Sequence, residues 1–67
     1  MREYERNLLA AELMVSMAAR EMRMAGANAA IAEVQGETVA DFGGVLSELE
    51  AIASGLRNYL RTNETDT

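Results

Sequence analysis

Glu5 and Glu12 stand seven residues apart, and Asp41 and Glu48 repeat that spacing in the second half of the chain. Seven residues is close to two helical turns, so each pair shares one helix face. Paired carboxylates hydrolyse glycosides when a concave site holds the sugar between them. Two or four short helices rarely provide such a site, and a charged row on a helix is ordinarily a solvated face. The hydroxyls of Ser16, Thr38, Ser47 and Ser54 lack a base to activate them, because the chain has no His, Lys or Cys. Without that base they are weak nucleophiles, and they read as polar-face or capping residues.

Metal chemistry is equally poorly served. Thiolate and imidazole are the usual zinc ligands, and neither is present. The Glu-x-x-His motif of di-metal bundles is missing, as are an EF-hand loop and a glycine-rich phosphate loop followed by Lys. The sequence therefore predicts a non-enzymatic chain with no catalytic residues, cofactor, metal or small-molecule substrate.

The chain is 67 residues long, one domain at most, and a domain of that size is marginal unless something supports it. Disulfides are excluded, so association with another chain is the expected support. The net charge is −5. Residues 36–67 carry only Arg57 and Arg61 against six acids. An acidic surface repels phosphate backbones, which disfavours nucleic acid as a partner. All six basic residues are Arg, a side chain suited to interfaces, although a GC-rich genome is the favoured explanation and accounts for the abundant Ala as well. Arg20 and Arg23 form a small basic cluster that Glu5, Glu12 and Glu21 are placed to neutralise. The segment Leu8–Ala19 is too short and too interrupted by Glu12 to span a membrane. Met1–Arg6 is too acidic for a signal peptide, and the glycosylation sequon Asn63-Glu64-Thr65 reads as chance. A cytoplasmic location is expected, with no membrane contact.

These residues must be positioned by helices. No Pro occurs, and the first half is dense in strong helix formers. The pattern predicts an all-α antiparallel hairpin in residues 1–61. Helix 1 runs from about 2 to 34, Gly36 acts as its terminating C′ residue, and a turn covers 35–38 with Thr38 as cap. Helix 2 runs from about 39 to 61, and the polar tail 62–67 is expected to be disordered. Gly26 and Gly43-Gly44 are the places where a helix would be interrupted.

Helix 2 has one apolar stripe, Phe42, Val45, Leu46, Leu49, Ile52, Ala53, Leu56, Tyr59 and Leu60, and Phe42, Val45, Leu49, Ile52, Leu56 and Tyr59 are its expected core. Helix 1 has two. A broad face collects Tyr4, Leu8, Ala11, Met14, Val15, Ala18, Met22, Ala25 and Ala29; Leu8, Val15 and Met22 are its expected core. A narrower stripe opposite collects Ala10, Leu13, Met17, Met24 and Ile31. One helix 2 cannot cover both, and side chains of this kind are each worth roughly 1.5–3 kcal/mol when buried. A second chain is therefore expected, most simply a twofold homodimer forming a four-helix bundle. Leu13, Met17, Met24 and Ile31 are candidate interface residues for self or a foreign protein, and Met suits adaptable binding surfaces. Ala11, Ala18 and Ala25 repeat every seven residues, so they meet either helix 2 or the first helix of a second copy.

This expected shape resembles the small antiparallel hairpin dimers typified by the plasmid copy-number regulator Rop. The resemblance is one of architecture. Members of that family use basic helix faces on RNA, and no comparable face exists here; the Trp-x-Gly turn of secreted hairpin dimers is also absent. The function expected is a homodimeric regulator or inhibitor that binds an unidentified protein, as an accessory factor of a phage or mobile element does on a host protein. A structural or chaperone subunit of a permanent hetero-complex, and a Rop-like nucleic-acid regulator, are the alternatives.

Overall fold

A computed structural model describes residues 2–65 as two helices packed antiparallel, α1 over Glu3–Val34 and α2 over Gly43–Thr65. No helix among the described residues is long and apolar enough to cross a membrane.

Helix α1 starts where the Glu5 carboxylate accepts the Arg2 backbone N–H at 3.3 Å. Glu3 and Glu5 place negative charge in its first turn, where the helix dipole favours it. It passes through Gly26 without a break; one glycine costs about 1 kcal/mol against Ala, too little to interrupt so long a run of helix formers. It ends at Gly36, whose φ of +94° is open to glycine at little cost. The Gly36 N–H reaches the Glu33 carbonyl and the Glu37 N–H reaches the Ala32 carbonyl, both at 3.0 Å. That pair of bonds closes the helix as a Schellman motif.

The connection is longer than the expected turn at 35–38, and α2 begins at Gly43 rather than near residue 39. Thr38 lies outside the helix and does not cap it. Asp41 does that work: its Oδ1 accepts the Gly43 N–H at 2.9 Å, and the Phe42 carbonyl takes the N–H groups of Val45 and Leu46. The two glycines thus occupy the first turn of α2. Between the helices, Val39 and Phe42 are half-buried, which anchors the connection. At the other end, helix continues through residues 62–65, which the sequence assigned to a disordered tail. The Thr62 hydroxyl donates to the Asn58 carbonyl at 2.9 Å, one turn back. The remainder of that expected tail, residues 66 and 67, lies outside the described residues.

The hairpin is a rod of 55 × 15 × 13 Å with a radius of gyration of 16.0 Å. A compact domain of this length has a radius near 11 Å. The interior is accordingly one side chain thick. Leu8, Val15, Met22 and Ala29 of α1 are half-buried against Phe42 of the connection and Leu46, Leu49, Leu56 and Leu60 of α2. Among the described residues only Ala19 and Ala53, 3% and 2% exposed, are fully buried; they lie together between the helices beside Ser16, Arg23, Glu50 and Arg57.

The inward stripe of α2 differs from the expected core. Val45, Ile52 and Tyr59 are each about half exposed, not buried. Leu46, Ala53 and Leu60 of the same stripe take the inward positions. The apolar arc of α2 is wider than one neighbouring helix covers, and α2 is rotated so that one edge of the arc stays outside.

Candidate interaction surface

The rod has sides of different chemistry. One seam between the helices is polar. Arg57 donates to Glu12 at 3.2 Å and to the Ser16 hydroxyl at 3.3 Å, and Ser16 donates to the same Glu12 oxygen at 2.9 Å. Further along, Arg23 pairs with Glu50 at 3.3 Å. These bonds place Arg57 and Arg23 opposite carboxylates, and they hold the Glu12 carboxylate in hydrogen bonds across the seam. Near the Arg2 end, the Arg2 guanidinium donates to the Tyr4 hydroxyl at 3.0 Å. That hydrogen bond, with the charges of Tyr4 and Glu5, raises the Arg2 pKa above its ordinary value. A group already cationic at physiological pH gains no acid–base role from such a shift.

At the turn end of the same seam an open groove of about 340 Å³ runs past Met22, Gly26, Ala29, Val39, Phe42 and Leu46. Gly26 has no atom within 4 Å of the position a Cβ would take. The groove is thus a gap where glycine leaves the packing unfilled. Asp41 lies on its wall but already caps α2. No cluster of three or more metal-ligating side chains occurs among the described residues.

The opposite seam is apolar. Successive helical residues turn by about 100°, so the residues across from the Glu12–Arg57 seam are Ala11, Met14, Ala18 and Ala25 on α1 and Val45, Ile52 and Tyr59 on α2. Ala18 and Ala25 are exposed and Ala11 is half-buried. The row of alanines therefore lies on the rim of the contact with α2, not at its centre.

The third side is the back of α1, turned away from α2. Leu13, Met17, Met24 and Ile31 lie along it and each is more than half exposed, Met17 by 59%. Arg6, Leu9 and Leu13 border one shallow depression at its N-terminal end. Of the four methionines on the two apolar faces of α1, Met22 faces α2, whereas Met14, whose place on the same broad face puts it in the expected core, is 69% exposed, and Met17 and Met24 are exposed as well. Ala19 was missed as core because a lone Ala carries little hydrophobic signal; Ala53 lies on the expected stripe of helix 2, and the 3-4 spacing of Phe42, Leu46, Leu49, Ala53 and Leu56 is the cue that sets it at the centre.

No protein-family model, curated protein or solved structure matches this chain.

Proposed function

We propose that the chain is a non-enzymatic protein–protein interaction module. Two copies of the hairpin form a four-helix bundle, and the bundle binds and modulates another protein.

One observation carries this reading: a single rod has two uncovered apolar sides, and α2 covers neither. Leu13, Met17, Met24 and Ile31 occupy the back of α1, and Val45, Ile52 and Tyr59 edge α2. On the helical wheel of α1 the back row and the alanine rim are about a third of a turn apart, so one partner helix does not cover both. Full burial of the four back-row side chains is worth several kcal/mol at roughly 1.5–3 kcal/mol each. That is of the order of the whole stability of a small domain. Two covers are called for, one of which is a second copy and the other a different protein.

Sedimentation equilibrium tests the first part, with an expected mass twice the 7.3 kDa of the chain. A helical monomer across the accessible concentration range would sink it. The second part is tested by affinity capture from a lysate of the source cells: a protein is held by the wild type and lost with Met17→Glu/Met24→Glu. The exposure of the back row also suits a subunit of a permanent hetero-complex. In that case the isolated chain would be unfolded or aggregated by circular dichroism and light scattering.

A further inference from the structure

The two uncovered sides differ in what they fit, and the difference assigns one of them to a second copy. Residue pairs across the polar seam fix the level at which each residue of α1 meets α2: Glu12 lies opposite Arg57, and Arg23 opposite Glu50. Carried to the apolar seam, that register sets Ala11 beside Tyr59, Ala18 beside Ile52, and Ala25 beside Val45. Each of these three levels pairs a small residue on α1 with a large one on α2, and Met14, 69% exposed, stands at the outer edge of α1 between the first two. The face is therefore a shallow trough along α1 next to a ridge along α2.

We infer that this face is the self-interface, and that the second copy packs on it about a twofold axis parallel to the helices. Rotation about that axis lays α1 of one copy over α2 of the other, antiparallel and at the same level. The ridge of Val45, Ile52 and Tyr59 in each copy enters the alanine trough of its partner, and the contact occurs twice. A twofold axis perpendicular to the helices sets trough on trough and ridge on ridge, which holds one pair of helices close and forces the other pair apart. Close packing of interiors disfavours that mismatch.

Area and charge agree with this occupant. The chain exposes 5265 Å², against about 4,200 Å² for a compact monomer of its mass. The excess of roughly 1,000 Å², shared between this face and the back of α1, is large enough for the 800 Å² or so that each partner buries in a stable interface. Both cross-helix ion pairs lie on the opposite seam, so pairing through this face leaves them undisturbed. The exposed carboxylates nearest to it, Glu21 and Glu48, fall at its outer rims, where solvent still reaches them. The back row of Leu13, Met17, Met24 and Ile31 then remains on the outside of the bundle for the other protein.

This assignment rests on the two-copy reading above, and the test separates their failures. Sedimentation of the full chain and of Ile52→Glu and Met17→Glu is the first measurement. Wild type and Met17→Glu are expected to be dimers, with Ile52→Glu weakened about a hundredfold or more, since an unpaired charge is costly in an apolar interface. The second measurement co-refolds Ala18→Cys with Ile52→Cys and adds a short thiol crosslinker. Chains join in the mixture, whereas Ala18→Cys alone stays uncrosslinked because the two α1 helices are diagonal. A monomeric wild type overturns both readings. A dimeric wild type with an equally tight Ile52→Glu overturns this face alone, and efficient self-crosslinking of Ala18→Cys overturns the parallel axis. Because the crosslinking variants keep apolar side chains, they give an answer even where Ile52→Glu does not fold.

Discussion

Arg57 reaches across the hairpin to Glu12, 45 residues earlier, at 3.2 Å. The contact marks how α2 is rotated about its own axis. With Arg57 held on the polar seam, Leu56 and Leu60 point at α1, and Tyr59 is carried outward onto the opposite edge. The Ser16 hydroxyl braces the same carboxylate at 2.9 Å, so the Glu12 oxygen is fixed from its own helix as well.

Breaking this contact is expected to cost little. The Glu12 side chain is 17% exposed and that of Arg57 is 58% exposed, so water still screens the pair. A double-mutant cycle with Glu12→Gln and Arg57→Met should give a coupling of about 1 kcal/mol or less. It should shrink further in 1 M salt. Urea denaturation at fixed protein concentration measures it, and a coupling of several kcal/mol would show that the pair is far more shielded than its exposure implies.

The glycines separate by backbone conformation. Gly55 lies within α2, and an added Cβ there would meet nothing within 4 Å. Gly55→Ala should therefore stabilise by about 1 kcal/mol through helix propensity, which raises Tm by roughly 4–8 °C in a domain this small. Gly36 also has open space, but its φ is +94°, and Gly36→Ala should lower stability by about 1 kcal/mol or more. Thermal melts at one concentration decide both. A destabilising Gly55→Ala would indicate that the residue is covered in the assembled protein.

Ala53 is the most buried described residue, and close packing sets the helix separation around it. Ala53→Leu should force the helices apart and cost about 1–3 kcal/mol. Ala51→Leu, one step from the same turn but exposed, should be nearly neutral. Equal effects of the two substitutions in urea titrations would place the close approach elsewhere.

Much of the hairpin was legible in the chain. An unbroken run of helix formers fixed α1, and a single glycine was enough to mark its end at Gly36. The placement of α2 was harder to read. The rows Val45–Ile52–Tyr59 and Leu46–Ala53–Leu60 are both apolar, and periodicity alone does not say which one faces α1. The deciding information is long-range, in how the two helices pack, and the pairing of Arg57 with Glu12 and Arg23 with Glu50 marks the outcome. The start of α2 was misread for a local reason. Thr38 is a good cap by residue type, yet Val39 and Phe42 gain contact with α1 by staying outside the helix, and Asp41 then caps Gly43. The back row of α1 was visible from its spacing because no residue of α2 competes for it.

That row permits a sharp test of which surface closes on itself. Met17 and Met24 are both more than half exposed, and Gln matches Met in helix propensity. If the second copy packs on Val45, Ile52 and Tyr59, Met17→Gln/Met24→Gln removes no buried surface. Its unfolding free energy should then stay within about 0.5 kcal/mol of wild type, the ordinary range for surface changes. Leu49→Ala, in the contact between α1 and α2, should cost about 2 kcal/mol or more. Both are read from urea denaturation at equal concentration, because the stability of a dimer depends on it. A loss near 2 kcal/mol in the double Gln variant would mean that the self-assembled protein already covers the back of α1, leaving the ridge on α2 for the other partner.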